Sequence, residues 1–164
     1  MSWSDRRSFL ALGGAAALLA GCGFTPVYGP RGAGGNLMGT IRADDPVSRR
    51  DFNFVAAFEE RLGRPSAPRY TLAYAIDVST IEGGAQRGLG ATRNQVRGRL
   101  DYVLTDADGA ELSAGQVNAS AAYSLTSTPL AVLTAREDAE LRLMRMLADS
   151  LVSRLMIEPA LLPE

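Results

Sequence analysis

Bulky apolar and small or polar residues alternate most cleanly between Tyr70 and Ser79. Tyr70, Leu72, Tyr74, Ile76 and Val78 take every second place, with Thr71, Ala73, Ala75, Asp77 and Ser79 between them. A period of two sends the two sets to opposite faces of a strand, so this stretch predicts a half-buried strand. The period returns from Thr92, with Val96, Leu100, Tyr102 and Leu104 on one side. Arg93, Gln95, Arg97, Arg99 and Asp101 lie on the other. Asp106-Ala107-Asp108-Gly109 has the residue types of a hairpin turn. Leu112 to Leu125 alternates more weakly, Val117, Ala119, Ala121 and Tyr123 against Gln116, Asn118, Ser120 and Ser124, and predicts a further strand. Leu37 to Arg42 predicts a short first strand, and Glu82 to Gly90, with four glycines, a loop.

Two segments change period. Val47, Phe54, Val55, Phe58 and Leu62 recur at helical spacing, with Asp45 as expected N-cap, Pro46 at the first helical position and Gly63 and Pro65 as the stop. From Thr134 to Ile157, Ala139, Leu143, Leu147, Leu151 and Leu155 form one stripe, widened by Met144, Met146 and Ala148. Asp138, Arg142, Arg145 and Asp149 line the opposite side. Thr134-Ala135-Arg136-Glu137 reads as a capping box, and Pro159 as the terminator. The order strand-helix-strand-strand-strand-helix predicts an α+β fold, two helices on one face of a four-stranded, mainly antiparallel sheet.

Ahead of this domain the pattern is of another kind. Arg6 and Arg7 precede 12 uncharged residues, Phe9 to Ala20, and then Leu19-Ala20-Gly21-Cys22. About 20 apolar residues are needed to span a bilayer as a helix, so the run is too short for an ordinary span. It reads as an export signal ending in a lipobox, with cleavage before Cys22 and acylation of its sulfur; a plain secretory signal with a free thiol is the alternative. Arg6-Arg7-Ser8-Phe9-Leu10 also resembles the twin-arginine motif, which leaves the export route open. Several acyl chains on one cysteine hold a protein stably on a membrane that it does not cross. The expected organisation is residues 1–21 signal peptide, 22–35 lipid anchor and glycine-rich tether, and 36–164 a single α/β sandwich domain.

Composition narrows the chemistry. All 17 basic residues are arginine, and the chain has no histidine and one cysteine. Histidine-dependent triads, Cys/His metal sites, disulfides, Schiff-base lysines and the P-loop lysine are therefore excluded. A net charge of -1 argues against a nucleic-acid partner. Asp106-x-Asp108-Gly109 lacks the further ligands of a calcium loop and reads as a turn. Glu59-Glu60 and Glu137-Asp138 are neighbours on predicted helices, where they diverge into solvent.

Cys22-Gly23-Phe24-Thr25-Pro26-Val27-Tyr28 resembles the G-C-G-F-x-P-x-Y run at the start of mature lipopolysaccharide-assembly lipoproteins of the LptE family. Ala135-Arg136-Glu137-Asp138-Ala139-Glu140, leading into Leu147-Ala148-Asp149 and Arg154-Leu155, is similar to that family's C-terminal helix, and the predicted element order matches its sandwich. The resemblance implies a non-enzymatic lipoprotein without metal or cofactor. Acylated Cys22 would hold it in the periplasmic leaflet of the outer membrane, and Gly23 in place of an aspartate agrees with outer-membrane sorting. It would plug the lumen of an LptD-type β-barrel, bind lipopolysaccharide and help deliver it to the surface. An auxiliary lipoprotein of an envelope lipid-transport ABC system is the rival binding role, and a hydrolase using paired carboxylates the rival enzymatic one.

Arg93, Arg97 and Arg99 fall on one face of their strand, where residues two apart are about 7 Å from each other. Bidentate guanidinium groups at that spacing could meet neighbouring lipopolysaccharide phosphates, with Arg87 in the preceding loop extending the patch. The same row also suits a plain solvated face, pairing with acids such as Asp101, or protection of a sheet edge.

Overall fold

A computed structural model describes residues 37–83, 93–125, 128–158 and 161; Cys22 and the tether lie outside them. The elements are β1 (Ile41–Ala43), α1 (Arg49–Leu62), β2 (Tyr70–Glu82), β3 (Arg93–Thr105), β4 (Glu111–Ser124) and α2 (Pro129–Met156). The sheet runs β1-β2-β3-β4. β1 pairs in parallel with Tyr70 to Leu72, while β2, β3 and β4 form an antiparallel meander. The α+β class and element order are those predicted from the residue pattern.

Register explains which side is core. Leu72 opposes Leu104, which opposes Ser113; Ile76 opposes Leu100, which opposes Val117. Even-numbered residues of β2 and β3 and odd-numbered residues of β4 therefore share one face, and both helices pack on it. Leu72, Val96, Leu100 and Leu104 are fully buried there with Phe54 and Phe58 of α1 and Leu143, Leu147, Leu151 and Leu155 of α2. The Phe54 ring meets Tyr74 at a centroid distance of 4.9 Å, which seats α1 over β2. Where α2 crosses β3 there is no room for a side chain. A Cβ on Gly98 would lie 2.9 Å from Leu147 Cδ1 and 3.1 Å from Leu143 Cδ2.

Both helix starts differ from the predicted ones. α1 begins at Arg49, because Ser48 rather than Asp45 is the cap: its Oγ accepts from the Asp51 backbone N–H at 3.2 Å. Val47 consequently precedes the helix and is exposed instead of joining the apolar face. The end is as expected, with Gly63 at φ 77° donating its N–H to the Glu59 carbonyl. α2 begins at Pro129, five residues before the predicted start, with Thr128 as its cap residue. Thr134 lies inside the helix, where its hydroxyl donates to the Leu130 carbonyl at 3.1 Å. Met146, assigned above to the buried stripe, is instead exposed.

The helices run parallel and in step. Arg50 pairs with Glu140 at 3.0 Å, and Arg61, eleven residues on, pairs with Asp149, nine residues on, at 2.6 Å. At 1.5 Å rise per residue these spacings are about 16 and 14 Å, so both bridges sit across one interface. The first ten residues of α2, Pro129 to Asp138, reach past the start of α1 and include no buried side chain. No helix among the described residues is long and apolar enough to cross a membrane.

Candidate functional site

The sheet face away from the helices carries short side chains. Along β2 it presents Ala73, Ala75, Asp77 and Ser79, with the larger Ile81 at the far end, and along β4 Ala114, Gln116, Asn118 and Ser120. From this low floor β3 raises Arg93, Arg97 and Arg99, all exposed. The strand's period of two and the helix cover on the opposite face put them there. The arginine row is therefore a real surface feature, standing on the uncovered side.

The three guanidinium groups differ. Arg99 is engaged: its Nε and Nη2 donate to Asp101 on the same face at 2.8 to 3.1 Å. That hydrogen bond and the charge of Asp101 raise the arginine pKa further above its ordinary value, and Asp77, directly opposite on β2, adds to it. Arg97 stands in register between Ser79 on β2 and Ser120 on β4. It borders a shallow cleft of about 300 Å³ with Asn118, Ala119 and Ser120. No described residue forms an ion pair with Arg97 or Arg93. Two free cations with hydroxyl and amide groups alongside can hold an anionic group; a guanidinium already clamped by a carboxylate contributes less. Arg87 and Cys22 lie outside the described residues.

Sequence reasoning did not reach Ser79, Asn118 and Ser120, because they join Arg97 only through strand register. It also missed a second polar place, a groove of about 590 Å³ between the start of α1 and α2, bordered by Ser48, Arg49, Asn53, Glu137 and Glu140 among others. There Glu140 receives hydrogen bonds from Arg50 at 3.0 and 3.2 Å and from Arg136 at 3.2 Å. The Arg50 bond, opposed by burial and aided by Arg136, holds the Glu140 carboxyl below its ordinary value. Arg50, Arg136 and Glu140 satisfy one another there and tie the two helices together.

The sequence matches the family model for LptE, lipopolysaccharide-assembly, over residues 40–155, a span that holds β1 to β4, α1 and all but the last residue of α2. No curated protein matches it. Among solved structures, a lipoprotein from Caulobacter crescentus CB15 is 24% identical with a TM-score of 0.62, over 76% of this chain and 92% of that one. Rare lipoprotein B from Shewanella oneidensis is 9% identical with a TM-score of 0.54, over 71% and 91%. Lipoprotein B from Nitrosomonas europaea is 9% identical with a TM-score of 0.53, over 71% and 80%. At such identities the structures establish a shared fold, and the family match carries the assignment: the chain belongs to the LptE family of lipopolysaccharide-assembly proteins.

Proposed function

We propose that this protein acts in lipopolysaccharide assembly as a non-enzymatic lipoprotein of the outer membrane. Acylated Cys22 moors it in the periplasmic leaflet, and the α+β domain associates with and plugs an LptD-type β-barrel. On this reading the open sheet face contributes to lipopolysaccharide binding. Arg93 and Arg97 meet phosphates, and the short side chains around them leave the approach clear. Arg99 and Arg87 serve as flanking charge. The carrying observation is the family match, which spans the four strands, α1 and nearly all of α2. Two arginines without ion pairs on the uncovered face agree with it. Catalysis has no part in the proposal, in line with a chain that lacks histidine and lysine.

Co-purification in mild detergent provides the test. The expected result is a complex with a large β-barrel, and depletion of the protein should lower surface lipopolysaccharide. Recovery with an inner-membrane ATPase complex instead would replace this reading with that of a lipid-transport accessory lipoprotein. Mass spectrometry of the native protein reads the anchor directly, and an unmodified thiol at Cys22 would remove it.

A further inference from the structure

The sheet ends on a strand without the usual protection of an edge. β4 is 14 residues long, has β3 on one side and no described strand on the other. The Tyr70 N–H donates to the Thr40 carbonyl and the Leu72 carbonyl accepts from Asp44, so even-numbered peptide groups of β2 point towards β1. Carrying the alternation through the two registers turns the even-numbered peptide groups of β4 outward, at Ala114, Gln116, Asn118, Ser120 and Ala122. Among the described residues one side chain bonds to that row, Arg142, whose Nη2 donates to the Ala122 carbonyl at 3.3 Å. Natural edges are blunted by charges, proline, bulges or shortness. Between Leu112 and Ser124 there is neither a charged residue nor a proline, and the register shift falls at the far end, beside Leu104 and Thr105.

We propose that β4 is an interface between two copies of this chain, which join antiparallel through it into one continuous sheet. Unpaired peptide groups call for an extended strand as occupant, and β4 is complementary to itself. With a two-fold axis at Val117, Ala114 faces Ser120 and Gln116 faces Asn118, each pair exchanging two backbone hydrogen bonds, about eight in all. Gln116 and Asn118 already interact side by side at 3.0 Å, so their amides can bond across the axis equally well. Val117 meets its counterpart on the helix side, where it is half-buried, and Ala114, Gly115, Gln116 and Asn118 are exposed. No charged group opposes a like one. The register ends short of Ala122, which leaves its bond to Arg142 intact. The free upper part of β2 is a poorer candidate, because it carries Asp77 and Glu82, and pairing with itself would bring acidic side chains near one another. The dimer is a state of the chain outside the barrel, so this inference does not depend on the transport reading.

The test uses the full-length protein in detergent, followed by sedimentation equilibrium over a hundredfold range of concentration. The expected result is a reversible monomer–dimer equilibrium. Asn118→Pro removes one outward N–H and is tolerated on an edge; it should weaken the dimer tenfold or more. Asn118→Ala keeps the N–H and should leave dimerisation within about threefold. Val117→Cys should form an intermolecular disulfide on mild oxidation when the wild type does not, since residues facing each other in a non-hydrogen-bonded pair come close enough to bridge. A protein that stays monomeric throughout overturns the proposal, as does a dimer equally strong in the proline and alanine variants. If the proline variant loses its circular dichroism signature, the Val117→Cys cross-link decides alone.

Discussion

The two faces of β3 are built from one strand and obey different rules. On the even side Val96, Gly98, Leu100, Tyr102 and Leu104 face the helices, and all five are buried. On the odd side the residues directly opposite Arg93, Arg97 and Arg99 are serine, asparagine or aspartate. The inner face tolerates little change in volume, because close-packed interiors register a single methyl group. The outer face tolerates substitution and is therefore free to recognise something. The packed face and the polar, uncovered face are separated by the thickness of one sheet.

That separation can be broken at graded cost. Leu100→Ala removes a fully buried side chain and leaves a cavity between β3 and the helices, and should cost about 2–5 kcal/mol in chemical denaturation. Gly98→Ala is the opposite insult: the added methyl collides with Leu147 and Leu143, and about 1–3 kcal/mol is expected. A loss below 0.5 kcal/mol would mean that α2 does not sit so closely over β3.

Glu140→Gln, at the helix pair, should cost about 1 kcal/mol near neutral pH by weakening the bonds from Arg50 and Arg136. It should also reshape the pH dependence. The folded carboxyl is held below its ordinary value, so its contribution is complete above the unfolded carboxyl range and disappears as pH falls through the lower folded one. The wild type should accordingly show an acid limb of stability that is shallower in the glutamine variant. Identical limbs would contradict this role for Glu140.

The smallest effect on stability belongs to the outer face. Arg93→Ala with Arg97→Ala should change unfolding free energy by less than about 0.5 kcal/mol. Binding to immobilised lipopolysaccharide should nevertheless fall about tenfold or more. Arg99→Ala, whose group is already held by Asp101, should move binding less. Equal losses at Arg93/Arg97 and at Arg99 would show that the face acts through net charge alone.

Much of this fold is legible in the chain because burial imposes a period. The predicted even face of β3 and the Ala139–Leu155 stripe of α2 are the buried surfaces, since each alternates against a continuous neighbour. Legibility fails where no neighbour enforces a pattern. The first turns of α2 extend beyond α1, and Leu130 and Leu133 there are 74% and 54% exposed. Only Val132 and Ala135 there are half-buried against the core, too short a stripe to read, and Thr134 offered a cap signal in mid-helix. At α1 the expected start lay at Asp45 and Pro46, whereas the cap is Ser48, whose hydroxyl accepts from the Asp51 N–H.

The sequence by itself determined the alternation of strands and helices, the arginine face of β3, the absence of histidine and lysine chemistry and the resemblance to LptE-type lipoproteins. These are properties of single segments, expressed in local periodicity and composition. Only the tertiary structure decided that Arg99 is held while Arg97 and Arg93 are free. It also decided that Ser79 and Ser120 flank Arg97, that Gly98 is where α2 approaches, and that β4 lies at an open edge. Each of these depends on which strand lies beside which and in what register. That is settled by the joint burial of residues far apart in the chain, so no single segment encodes it.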